Sequence, residues 1–140
     1  MLATFLASAW ACSCDRAPPI QEQIENATYG YQGRVVGFAP IPHDPDGLPN
    51  QPLTRIEIAV RHVYKGEVPA TTYATLHSGT LPDGSVLEVG CDPLVRRGHE
   101  LVVAASVEQA PLNMCSGHIR VLPGEVPAWL QPIRSYVLPP

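Results

Sequence analysis

"TRIEIAVRHVYKG", residues 54–66, decides the fold. Under two-residue alternation Ile56, Ile58, Val60 and Tyr64 share one face, and Arg55, Glu57 and Arg61 take the other. That is the pattern of a strand with one buried and one wetted side. Lys65-Gly66 closes it. Upstream, "YGYQGRVVGF" (29–38) is strand-like, with glycines that mark bends or bulges. Downstream, further strands are expected at 72–77, at 86–89, at 99–106 and in "GHIRVL" after Cys115. The unbroken apolar run in "HELVVAAS" implies burial on both faces.

Between these strands the chain is punctuated by proline: 16 in 140 residues, roughly twice the usual share. Proline donates no backbone hydrogen bond and breaks helix interiors, so short strands and rigid loops are expected. "APIPHDPDGLPNQP" (39–52) is such a loop, and its Asp44-Pro-Asp-Gly47 reads as turn chemistry rather than a calcium loop, whose remaining ligands it lacks. Before the first strand, "PPIQEQIENA" (18–27) spaces Ile20 and Ile24 four apart, as a short amphipathic helix would. After the last, "GEVPAWLQPIRSYV" (124–137) is expected to form a C-terminal helix or two turns, with Trp129 and Leu130 facing the core. With no βαβ alternation, this makes an all-β protein. The expected architecture is a small closed five-stranded OB-like barrel with a short N-terminal helix and a C-terminal helix, ahead of a sandwich.

Length sets the expectation of one domain. Charged residues are 16 % of the chain, against about 25 % on average, so enough apolar material exists for one core. The net charge of −4 and the 6 % aromatic content argue against a nucleic-acid partner, which needs a basic groove with stacking platforms. No run of 18 apolar residues exists, so no membrane span is expected.

Leu2 to Ala11, "LATFLASAWA", has the length of a signal-peptide core, though no Lys or Arg precedes it. It ends in Ala9-Trp10-Ala11, a small-x-small pattern that places cleavage before Cys12. The expected division is therefore a signal peptide at 1–11 and one domain at 12–140, secreted or periplasmic. The alternatives are a buried first element and a lipid anchor at Cys12. The four cysteines, Cys12, Cys14, Cys91 and Cys115, are an even count behind an export signal and favour two disulfides. A Cys12–Cys14 bridge would close a strained three-residue ring, so the pair is expected to reach out to Cys91 and Cys115, in either pairing. A zinc site is the competing use, with Cys115-Ser-Gly-His118 offering C-x-x-H spacing, but paired knuckles are absent.

His43, His62, His77, His99 and His118 are scattered. No nucleophile elbow, phosphate loop or H-E-x-x-H is present, so no enzyme and no cofactor are expected. Asn26-Ala27-Thr28 matches the glycosylation sequon, a short pattern that recurs by chance.

The order of these features resembles the netrin-like domain, and in particular the N-terminal domain of tissue inhibitors of metalloproteinases (TIMPs). The matching elements are Cys12-Ser13-Cys14 after a leader, a short helix, the strand "YGYQGRVVGF" and a strand ending in "HVYKG". Cys91 ahead of "GHELVVAAS" and Cys115 ahead of the last strand complete them. The resemblance spans about Cys12 to Leu122. It implies an OB-like barrel with Cys12 bridged to Cys91 and Cys14 to Cys115. It also implies a monomeric inhibitor of zinc metalloproteases, in which the α-amine and carbonyl of Cys12 chelate the protease zinc. Ser13 would enter the specificity pocket, with Cys14 and Asp15 in the contact ridge. Three features depart from the family: its third bridge has no cysteines here, the cysteine-rich C-terminal subdomain is replaced by residues 123–140, and Asp15-Arg16-Ala17 is charged. Netrin-like modules that inhibit nothing, with purely structural disulfides, form the alternative.

Overall fold

A computed structural model describes residues 14, 16–47, 51–115 and 117–140. In chain order its elements are α1 (Ile20–Asn26), β1 (Tyr29–Pro40), β2 (Thr54–Lys65), β3 (Thr71–Leu76), β4 (Gly79–Thr80), β5 (Val86–Leu87), β6 (Glu100–Ala105), β7 (His118–Val121) and β8 (Arg134–Ser135). The protein is mostly β, with one short helix among the described residues. The main sheet is antiparallel, in the order β3-β2-β1-β6-β7, with β8 added to β2. β4 and β5 form a separate small hairpin.

β1 lies at the centre of the sheet and pairs with both β2 and β6. Its inward residues, Tyr31 and Val35, join Ile56, Ile58, Val60, Val63, Leu101 and Val103 in the larger apolar core. On the opposite face Ile20 and Ile24 of α1 pack with Tyr64, Val102 and Leu130. β6 thus feeds both layers, as its unbroken apolar run implies. Gly33 lies where β1 and β2 approach closely: a Cβ there would fall 2.6 Å from the Ala59 carbonyl oxygen.

The alternation of β2 is broken by bulges. Gln32 pairs with His62 but Gly33 pairs with Val60, leaving Arg61 as the extra residue. An extra residue inverts the side-chain parity beyond it. Val63, not Tyr64, therefore continues the face of Ile56, Ile58 and Val60, and Tyr64 turns to the α1 side.

That side holds a charged group within the apolar layer. Glu100 is fully buried, and its carboxylate accepts four hydrogen bonds. Oε1 takes Arg61 Nη2 at 2.8 Å and Nε at 2.9 Å; Oε2 takes Gln32 Nε2 at 2.7 Å and the Gly124 N–H at 2.6 Å. Gln32, also fully buried, donates to the Glu125 carbonyl at 2.8 Å and accepts the Tyr64 hydroxyl at 2.5 Å. Four acceptor positions on one carboxylate are thus filled.

The C-terminal segment is not a helix. Pro123, Pro127 and Pro132 each lack a backbone donor and push the preceding residue out of the helical region. Residues 123–136 instead run as turns across the sheet. Ile133 N–H donates to Val63 and Tyr136 N–H to Arg61, and β8 pairs with His62 and Val63. Leu130 is buried as expected, but Trp129 is 46 % exposed. The hydrogen-bonded path of the sheet is open among the described residues, because β3 and β7 do not pair with each other.

Glu100→Gln is expected to cost about 3–5 kcal/mol, read by urea unfolding, because it strands the Arg61 guanidinium against a neutral amide. Burial and the Glu100 charge push the Tyr64 hydroxyl from its ordinary value near 10 up to about 12. The folded state therefore holds this proton more tightly than the unfolded chain does. Its contribution is complete below about pH 10 and lost as pH rises towards 12. Tyr64→Phe is expected to flatten the fall in stability across that window, leaving the part due to buried Tyr31, which burial shifts the same way.

Candidate functional site

The sequence points to the cysteine-bearing N-terminus, and the described part of that region is built from three loops. Cys14 is exposed and bonded to Cys115 across a separation of 101 residues, with the Cα atoms 5.2 Å apart. Cys115 occupies the turn ahead of β7, where its N–H donates to Asn113 Oδ1 at 2.8 Å. The neighbouring Met114 N–H donates to the Cys91 carbonyl at 2.9 Å, which brings the Cys91 loop against the Cys115 loop. Cys91 too is disulfide-bonded. Cys12, Ser13 and Asp15, the expected chelating and contact residues, lie outside the described residues.

The Cys91 and Cys115 loops are tied to the sheet by polar contacts. Gly117 N–H donates to Gln23 Oε1 of α1 at 2.7 Å, and Gly117 accepts the Ala104 N–H at 2.8 Å. The Asp92 carboxylate caps the end of β3, accepting Ser78 N–H at 2.6 Å and His77 N–H at 3.3 Å. Ser78 Oγ accepts the Val89 N–H at 2.9 Å, and the Thr54 hydroxyl donates to the Ser78 carbonyl at 2.7 Å. The edge that carries Cys14, Cys91 and Cys115 is therefore preorganised by its own backbone contacts as well as by its disulfides.

Apolar side chains stand exposed along these loops: Met114 (49 %), Leu94 (77 %) and, on the β4–β5 hairpin, Val86 (70 %). Alternation does not single them out, because they sit in short, proline- and glycine-rich loops. The hairpin turn is set by Asp83, whose carboxylate accepts both the Ser85 N–H and the Ser85 hydroxyl; those bonds hold its pKa below the ordinary carboxylate value.

The other chemistry-bearing residues are used structurally. Cys115 is committed to a disulfide, which removes it as a thiolate ligand with His118. The Asp44 carboxylate accepts the Asp46 N–H at 2.9 Å, as in an Asx turn. His62 Nδ1 meets the Ser135 hydroxyl at 2.7 Å, and His99 Nδ1 accepts the Arg96 N–H at 3.2 Å. Desolvation, aided by neighbouring arginines, lowers the pKa of both rings. His77 Nδ1 is buried without a hydrogen-bond partner among the described residues.

Replacing Cys14 and Cys115 together by serine opens a loop of about 100 residues. The loss is expected to stay below the figure of about 4–5 kcal/mol for an isolated loop of that length, because the Cys91 bridge still restricts the unfolded chain, and chemical unfolding against the parent chain measures it. No family model matches the chain, and no curated protein matches it.

Proposed function

We propose that the chain is a secreted, TIMP-like protein of netrin-like fold, a candidate inhibitor of zinc metalloendopeptidases that acts through Cys12. The Cys14–Cys115 bridge carries this reading. It fastens Cys14, two residues beyond Cys12, to a loop hydrogen-bonded to the Cys91 loop, and a protein held this way loses less ordering entropy on binding. The pairing is the one that the resemblance implies.

The architecture is read as an OB-like barrel of β1, β2, β3, β6 and β7. An isolated parallel bridge between Thr75 and Pro111 supports it: Thr75 N–H donates to Ala110 at 3.1 Å, and Leu112 N–H to Thr75 at 2.9 Å. These two bonds link the free side of β3 to the segment that leads into β7, where a barrel seam would run.

The proposed chemistry is ligand substitution at the protease zinc. An open zinc position that holds water accepts a neutral nitrogen instead. An α-amine with pKa near 7.7–8.0 supplies one at neutral pH, the Cys12 carbonyl adds an oxygen, and Ser13 fills the adjacent specificity pocket. Cys14 and Asp15 form the flanking ridge, and the exposed Met114 and Leu94 extend its apolar contact. Arg16, exposed two residues beyond Cys14, favours a second reading. In it the chain is a netrin-like protein-binding module whose disulfides are purely structural.

The test is a panel of zinc metalloendopeptidases assayed with micromolar protein whose N-terminus has been established as Cys12 by mass spectrometry. Inhibition is expected with the free amine and lost on N-acetylation or on adding one residue ahead of Cys12. It should weaken as pH falls below about 7.5, where the amine takes up a proton and cannot bind metal. A free amine with no inhibition anywhere in the panel overturns the inhibitor reading in favour of the binding module.

A further inference from the structure

A cavity of about 280 Å³ opens beside the start of β3, whereas the disulfide-bonded edge lies beyond that strand's other end. Tyr29 and Tyr31 of β1 form part of its wall, with Thr72 of β3, Glu67 in the β2–β3 connection and Glu108 and Gln109 in the turn after β6. Side chains two apart on a strand share a face, so the two tyrosines stand together. No Lys, Arg or His lines it, and its two ionisable carboxyl groups give it negative charge.

Tyr31 is the unusual member. Its side chain is 4 % exposed, yet its hydroxyl has no hydrogen-bond partner among the described residues. The hydroxyl of the other buried tyrosine, Tyr64, donates to Gln32. Buried phenol hydroxyls ordinarily find a partner. That of Tyr31 is not among the side-chain atoms sealed from solvent without one, so it remains accessible, and the cavity lies beside it. Burial holds it far above its ordinary pKa, so it stays a neutral phenol that can accept a hydrogen bond.

The rest of the wall is consistent with a bound cation. Neither Glu67 nor Glu108 is in an ion pair among the described residues. Arg134 feels the Glu67 charge but is engaged with Tyr136. The Arg55 guanidinium lies 4.6 Å over the ring of Tyr73, another residue of the wall, and so uses that ring from outside. Gln109 sits at φ 53°, a left-handed conformation unusual for a non-glycine residue, and its turn is held by Thr75 through Oγ1 to the Gln109 carbonyl (3.2 Å) and N–H to Ala110. The acidic turn is thereby fixed in place over the cavity.

We infer that this cavity binds a primary alkylammonium group, whose N–H donates to the Tyr31 hydroxyl while Glu67 and Glu108 balance its charge and the tyrosine rings cover its alkyl stem. Charge-assisted bonds and cation–π contact both favour such a group over a neutral one of the same shape. The group is borne either by a small free amine or by a lysine side chain of a protein partner. The site is separate from the Cys14–Cys115 edge, and binding there does not require a free N-terminus.

The full disulfide-bonded chain is titrated with n-butylammonium chloride and with N-acetyl-lysine methylamide, followed by amide shifts in NMR spectra, with n-butanol as the neutral control. Saturable shifts at Thr72, Ala105 and Gln109 are expected with the two cations, and at least roughly tenfold weaker binding with butanol. Tighter binding of the lysine derivative assigns the site to a protein partner, and tighter binding of butylammonium assigns it to a small amine. Tyr31→Phe is expected to weaken either cation by roughly tenfold while leaving the unfolding midpoint unchanged, because the hydroxyl lost has no partner in the protein. Glu67→Gln with Glu108→Gln should weaken both cations and reduce the salt dependence of binding. Butanol binding as tightly as the cations, unaltered affinity in Tyr31→Phe, or no saturable shift with either cation overturns the proposal.

Discussion

The buried carboxylate of Glu100 is the constraint around which the outer layer of this protein is organised. An unpaired charge in an apolar layer is too costly to persist, so four donors must reach it. Two come from Arg61 at the bulge in β2, one from Gln32 at the centre of β1, and one from the backbone of the C-terminal segment. Meeting that requirement draws residues 124–125 onto the sheet and fixes the path of everything after them. Gln32 extends the same network to Tyr64 and to the Glu125 carbonyl, so a single set of hydrogen bonds joins β1, β2, β6 and the tail.

The bulge at Arg61 makes this possible. Without the extra residue, Tyr64 would follow Val60 into the inner core and Arg61 would have no reason to turn towards Glu100. The same break divides the free edge of β2. Its first half pairs with β3, and its second half takes up β8 and the backbone donors of Ile133 and Tyr136. A tail interrupted by prolines cannot satisfy its own backbone as a helix, and this edge supplies the partners it lacks.

Two regions at opposite ends of β3 remain for function. One is a rim of loops anchored by Cys14–Cys115 and by the Asp92 cap, bearing exposed Met114 and Leu94. The other is the acidic, tyrosine-walled cavity with the unpartnered Tyr31 hydroxyl. The first is where the proposed contact with a protease would be made, and the second is where the inferred ammonium group would sit. Both are framed by the same strand, whose residue Thr75 holds the turn beside the cavity and the bridge to Pro111.

Local pattern determined a good deal. The alternation of Ile56, Ile58 and Val60, the Ile20–Ile24 spacing and the apolar run after Glu100 marked β2, α1 and the doubly buried β6, because burial of one face is written in residue order. The cysteine count pointed to disulfides, and Cys12-Ser13-Cys14 to the candidate edge. Tertiary structure decided what residue order does not encode. It set the parity change at Arg61, the replacement of an expected C-terminal helix by turns and β8, and the pairing of buried Glu100 with an arginine 39 residues away. It also brought Tyr31, Glu67 and Glu108 to one cavity. These depend on which strands lie side by side, and that is settled by long-range pairing and by the need to satisfy every buried polar group.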